Sequence, residues 1–239
     1  MGDYYNRGGD TDCRTEKQKT YARENGEYSV AESVHESRIK QVIVHDNWDA
    51  ADSAQQGGGP WDLALIELEK CVPSYNQFIQ PACLPDEPEQ FKGVCGVISG
   101  WGVTAPGQRS DDRPAKLQVS SISILSDESC SDYGAQFQKT SAFCGGLTDS
   151  TAEHRDTCQG DSGGPFTVYG HSEKSTGGTP VSYGGSTLHP ARKDRGILWG
   201  VTSFGSAECD KQGVYTKVSN YMEWMHGVLS HESTFTTDN

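Results

Sequence analysis

Eight cysteines run through the whole chain, at Cys13, Cys71, Cys83, Cys95, Cys130, Cys144, Cys158 and Cys209, an even number with no Cys-x-x-Cys pair. That spacing argues against a metal site and for disulfides formed in an oxidising, extracellular compartment. Counting alone leaves the pairing open, because eight thiols admit too many combinations. Only 33% of the 239 residues are hydrophobic and 28 are glycine, so the apolar runs between cysteines are short. Many brief strands and long loops fit that pattern better than a helical bundle. The length suits one domain, or one bilobed domain, with a substantial core.

The formal charge of −13 argues against a nucleic-acid partner, since phosphates are bound through an excess of Lys and Arg. Most of these carboxylates are expected on a solvated surface, where they also permit long-range attraction of basic substrates. No run approaches the ~20 apolar residues of a membrane span, so no membrane partner is expected. Met1-Gly2-Asp3-Tyr4-Tyr5 lacks the charged and apolar regions of a signal peptide. The sequence therefore reads as a fragment, or as a chain whose export signal lies elsewhere.

Residues 1–37 are polar and aperiodic and read as a long loop. The β-branched segment 38–45 suits a strand, and turn residues separate it from Asp62-Leu63-Ala64-Leu65-Ile66-Glu67-Leu68, a mostly apolar run expected to be a buried strand. Residues 71–92 form a proline-bearing connector. Strand character resumes at Val97 to Gly102, and the alternation from Lys116 to Ile124 predicts a strand with one buried face. Residues 169–195, dominated by Gly, Ser, Thr and charge, read as an inserted loop. Two further strands are expected at 198–204 and 213–218. Val218, Tyr221, Met222, Met225, Val228 and Leu229 then recur at helical spacing, with Asn220 and Glu223 placed for a capping box. The domain is expected over 1–229, followed by a tail at 230–239.

One stretch implies a reaction: Asp156-Thr157-Cys158-Gln159-Gly160-Asp161-Ser162-Gly163-Gly164-Pro165. Glycine lacks the Cβ that would obstruct a sharp turn or a close substrate approach, so Ser162 is a candidate nucleophile. The same residue types also make plain surface turns. A catalytic reading requires more parts, namely a general base, a group orienting it, and donors for an oxyanion.

The stretch closely resembles the nucleophile loop of the chymotrypsin/trypsin family of serine proteases. Trp61-Asp62-Leu63-Ala64-Leu65, Pro81-Ala82-Cys83-Leu84-Pro85, Gly100-Trp101-Gly102 and Gly213-Val214-Tyr215-Thr216-Lys217-Val218 resemble family segments in the same order. The resemblance implies an all-β fold of two six-stranded antiparallel barrels of the trypsin-like type with a C-terminal helix, the first barrel being incomplete here. It implies a secreted endopeptidase that hydrolyses protein or peptide bonds after Arg or Lys, without cofactor or metal. Ser162 would be the nucleophile, Asp62 the acid that orients the base, and the N–H groups of Gly160 and Ser162 the oxyanion hole. Asp156 would form the base of the pocket for the basic side chain, which Ser203, Gly205 and Gly213 would line. Cys130 would pair with Cys144 and Cys158 with Cys209, while Cys83 matches a cysteine that tethers an upstream regulatory chain in many relatives. Where the family has a partner for Cys95, this chain has Thr167-Val168. Cys13 and Cys71 have no family match.

The family's base stands in an Ala-(Ala/Gly)-His-Cys segment upstream of the aspartate, and this chain has no such motif. His45 resembles a different, non-catalytic position. His35, His154, His171, His189, His226 and His231 lie in polar loops, the terminal helix or the tail and are expected to be exposed. The resemblance also implies a free amine, the family's mature amino terminus, paired with Asp161. The expectation is that the chain alone is inactive. The alternative is a non-catalytic protease homologue that binds a protein partner.

Overall fold

The structure, a computed structural model, describes residues 35–49, 58–72, 75, 79, 81–85, 94–108, 112–147, 156–169 and 196–233. The loop expected over 1–37 lies outside these residues except for its last three positions, as do Cys13, His154, His171, His189 and nearly all of the expected insertion. The chain divides into two compact units, described separately.

In the first unit, β1 (Ile39–Val44) pairs antiparallel with β2 (Ala64–Leu68), placing Val42 opposite Ile66 and Val44 opposite Ala64. The apolar run at β2 is not buried as expected. Ala64 and Ile66 are exposed, because among the described residues this sheet has two strands and one of its faces carries no covering layer. Lys40 reaches across to Glu67, a cross-strand ion pair in an exposed setting.

The second unit holds a closed barrel of six antiparallel strands: β3 (Cys95–Gly100), β4 (Gln118–Ile124), β5 (Ala142–Gly146), β6 (Pro165–Tyr169), β7 (Gly196–Phe204) and β8 (Gly213–Lys217), in the order β3-β4-β5-β8-β7-β6. Closure pairs every strand on both sides and leaves no open sheet edge. The alternation read in β4 places Ile122 and Ile124 inside, while Val119 remains exposed near the strand's start. Two strands escaped the sequence reading. β5 is written in Ala, Phe, Cys and Gly, all buried, without alternation, and β6 begins at a proline directly after the glycines of the Ser162 loop.

The barrel interior centres on Phe143, Phe166 and Tyr215, with ring centroids 5.0–5.4 Å apart in edge-on and stacked contacts. Ile98, Ile122, Ile124 and Val168 pack around them. Gly96 makes room for this core, since a β-carbon there would lie 2.1 Å from the Phe166 ring.

Beside the barrel, the 3-10 segment Asp127–Gln136, interrupted at Gly134, brings Cys130 to Cys144 of β5. The bonded pair packs with Ala142 and Val214. Replacing both cysteines by alanine should lower unfolding stability by about 3 kcal/mol, a loss typical of opening a short loop, and denaturant titration would measure it. Cys158 is bonded to Cys209, whereas Cys71, Cys83 and Cys95 are free thiols. Cys83 is stitched to β7 through the backbone, its N–H donating to the Gly196 carbonyl and its carbonyl accepting from Leu198.

The C-terminal helix α1 (Met222–Ser233) follows a 3-10 turn at Val218–Tyr221 and continues past Ser230. No side chain caps the start of that turn. The Asn220 amide donates instead to the Thr140 carbonyl, so the expected capping box is not made. No helix among the described residues is long and apolar enough to cross a membrane.

Candidate active site

Consecutive residues of β7 hold the two groups that the sequence singled out. The Gly163 N–H donates to the Thr202 carbonyl and the Thr202 N–H to the Gly164 carbonyl, which fixes the loop carrying Ser162. The next residue, Ser203, donates its hydroxyl to Asp62 Oδ2 at 2.6 Å. Behind Asp62, the Thr216 hydroxyl donates to its carbonyl at 2.9 Å. The preceding Trp61 sits at φ +64°, rare for an aromatic residue, with its N–H donating to the Tyr221 hydroxyl at 2.9 Å. Burial pushes the Asp62 carboxyl above the usual range, and the Ser203 hydroxyl opposes that shift.

Ser162 is exposed. On either side of it the backbone turns through Gly160 at φ +99° and Gly163 at φ +78°, values that exclude other residues without strain. Asp161 points the other way. Its carboxylate accepts the N–H of Gly102 at 2.7 Å and of Cys158 at 3.0 Å. Neither the Gly160 nor the Ser162 N–H donates to any group among the described residues. A β-carbon at Gly102 would lie 2.5 Å from the Asp161 carboxyl carbon, so the Gly-Trp-Gly corner seats this side chain. A cavity of about 460 Å³ adjoins it, bordered by Gly100, Val103, Asp156, Asp161 and Cys158 among others.

Asp156 is enclosed by β8. Tyr215 donates to its Oδ1 at 2.7 Å, and Thr157 does so through its N–H at 2.7 Å and more weakly through its hydroxyl. Oδ2 accepts nothing among the described residues. A β-carbon on Gly213 would come within 2.5 Å of the carboxylate, and one on Gly205 would lie 3.9 Å from the Gly213 Cα. Desolvation pushes the Asp156 carboxyl up to about 7. The Tyr215 and Thr157 hydrogen bonds pull it down, and the nearby Asp161 charge adds to the rise.

No imidazole among the described residues hydrogen-bonds Asp62 or Ser162. His45 lies among Trp61, Tyr221 and Trp224, its Nδ1 accepting the Asn47 N–H. His35 contacts the Lys70 carbonyl. One neighbour of the loop escaped the sequence reading. Arg113 packs against Gly160, where a β-carbon would lie 2.6 Å from its Nη2.

The trypsin family profile matches residues 12–225. This chain belongs to the trypsin family. It is similar to the CLIP domain-containing serine protease HP8 of Bombyx mori, 30% identical over 203 residues that cover 80% of this chain and 46% of that protein. It is also similar to the complement C1s subcomponent of Sus scrofa, 26% identical over 83% of this chain and 26% of that protein. The chain thus spans less than half the length of the curated relatives it matches. Among solved structures it resembles neuropsin, a serine protease expressed in the limbic system of mouse brain. That match has a TM-score of 0.60 and 27% identity, and covers 82% of this chain and 72% of that one. The six-stranded barrel and short C-terminal helix are the trypsin-like fold.

Proposed function

We propose that the chain belongs to a secreted serine endopeptidase that hydrolyses protein bonds after Arg or Lys. The observation that carries this reading is the pair of adjacent anchors on β7, Thr202 for the Ser162 loop and Ser203 for Asp62. In it, Ser162 Oγ attacks the scissile carbonyl, the N–H groups of Gly160 and Ser162 receive the oxyanion, and Asp62 orients the base. The free Oδ2 of Asp156 faces the substrate cation, with Gly205 and Gly213 leaving room for its stem. The half-exposed Cys83 thiol suits a tether to an upstream chain. A buried ammonium beside Asp161 would order the oxyanion loop.

With no imidazole on Asp62 among the described residues, the Ser162 hydroxyl keeps its proton and is a poor nucleophile. The isolated chain is therefore expected to show no stoichiometric labelling by a serine-directed phosphonate; full labelling of Ser162 would reveal a base within it. The pocket is tested separately with benzamidine, which needs an ionised Asp156. Its affinity should rise roughly tenfold per pH unit up to about 7 and then level off. In Asp156→Ser, binding should disappear at every pH.

The absence of an imidazole partner for Asp62 among the described residues also supports a second reading, a non-catalytic homologue that binds a protein through this cleft. The upstream transcript sequence discriminates: Ala-x-His-Cys followed downstream by this chain favours the enzyme, and another residue in the histidine slot favours the binding module.

A further inference from the structure

We propose that Tyr221 is a positioning residue for Asp62, its hydroxyl bracing the strained turn at Trp61 so that the carboxylate stays aimed at Ser203. The inference rests on the protease reading, in which Asp62 orients the base. It gives a role there to a residue that the sequence shows only as one apolar position leading into the terminal helix.

Asp62 follows a residue in an unfavourable conformation. An aromatic side chain at φ +64° crowds its own backbone, and such a residue persists only where its surroundings over-determine it. Here they do. The Trp61 N–H donates to the Tyr221 hydroxyl at 2.9 Å, and the Trp61 carbonyl accepts the Leu63 N–H at 2.7 Å in a tight turn centred on Asp62. The Trp61 ring stacks on His45. His45 closes the frame, because its N–H donates to the Leu63 carbonyl and its ring meets that of Tyr221 edge-on at 5.4 Å.

The end of β8 and the turn after it thus hold Asp62 from both sides. Tyr221 receives the N–H of the residue before it and Thr216 donates to its own carbonyl, from 160 and 154 positions away along the chain. With both flanking peptides fixed, only the side-chain torsions of Asp62 remain, and the 2.6 Å bond from Ser203 sets those. Tyr221 is buried, and burial above all pushes its phenol upward from the ordinary range. The hydroxyl therefore braces as an uncharged hydrogen-bonding group. Removing it alone leaves the ring against His45 but frees the Trp61 N–H, so that Trp61 can leave the left-handed region and carry Asp62 away from Ser203.

The test is a carbon-13 NMR titration of the full 239-residue chain labelled at aspartate, with the Asp62 signal assigned by its loss in Asp62→Asn. In the wild type, burial holds the Asp62 carboxyl above its ordinary 3.8. In Tyr221→Phe the midpoint should fall toward 3.8, because a carboxylate that leaves Ser203 for water loses the desolvation that raised it. Adding Trp61→Asn should restore the raised midpoint, since asparagine enters the left-handed region with little strain and needs no brace. A contact that serves stability alone gives a different result: a lower thermal midpoint in Tyr221→Phe with the Asp62 titration unchanged, which overturns the proposal. A fall that Trp61→Asn fails to reverse overturns it too. Hydrogen exchange on the wild type gives a check that needs no variant, because a braced Trp61 amide should exchange slowly and a rapidly exchanging one contradicts the brace. Benzamidine judges the protease reading separately. A wild type that binds none sinks that reading even where the Asp62 shift appears, whereas binding together with an unmoved Asp62 sinks this inference alone.

Discussion

Replacing Asp156 by asparagine should stabilise the protein above neutral pH. The folded Asp156 carboxyl titrates near 7, well above its ordinary 3.8. For an acid raised in this way, folding carries no penalty below the unfolded value, a growing penalty between the two values, and the full penalty above the folded one. At pH 8 the variant should therefore gain about 2–4 kcal/mol, toward the low end because part of the residue still meets solvent, and the gain should fade toward pH 4. Asparagine can still accept from Tyr215 and Thr157 through Oδ1, so the packing has no reason to change. Denaturant midpoints of the two proteins at pH 8 and pH 4 check this, and a variant less stable at pH 8 would contradict it. The burial that makes Asp156 costly is the same burial that would make it selective, a conflict common at binding sites.

Phe166→Ala should cost about 3–5 kcal/mol, the range for emptying a large aromatic site that cannot collapse. Phe166 has no exposed surface and meets both Phe143 and Tyr215. The effect should spread beyond stability. Phe166 follows Pro165 and stands two positions past Gly164, whose carbonyl accepts from Thr202. Loosened packing at Phe166 should raise amide exchange at Gly163 and Thr202 ahead of global unfolding, measurable by hydrogen exchange with mass spectrometry. Phe166→Leu should recover much of the loss, because it refills most of the volume with apolar atoms.

What could be read beforehand followed the physical character of each signal. β4 announces itself through the alternation that ends in Ile122 and Ile124, and β7 and β8 through apolar, β-branched runs; the boundaries observed differ by one or two residues. β5 gives no such signal, because both of its faces are buried and its glycines and cysteine score as turn or linker. The apolar run at β2 overstated burial, since a hydrophobic strand reports what it could cover and not what lies over it. Asn220 and Glu223 had the right spacing for a cap, but the Asn220 side chain is turned to donate its amide N–H to the Thr140 carbonyl, a contact between segments far apart in sequence. Arg113 was illegible for the same reason. Its position on Gly160 joins the β3–β4 connection to the Ser162 loop, and neither segment carries a pattern that names the other. The aspartates stood out by residue type and spacing, whereas the upward displacement of Asp156 comes from its burial in the folded chain, against which the Tyr215 and Thr157 hydrogen bonds act.

The direct pairing of Tyr169 with Gly196 has a practical consequence for protein engineering. Partners in an antiparallel ladder stand only ~5 Å apart, so the segment from 170 to 195 leaves and re-enters the barrel at neighbouring points. Its length is decoupled from the ladder: a two-residue turn would join the same ends. A shortened turn, a grafted recognition loop or new chain termini can be introduced there while the registers of β6 and β7 stay as they are. The junction is a socket in which natural variation and laboratory design can exchange cargo without renegotiating the barrel.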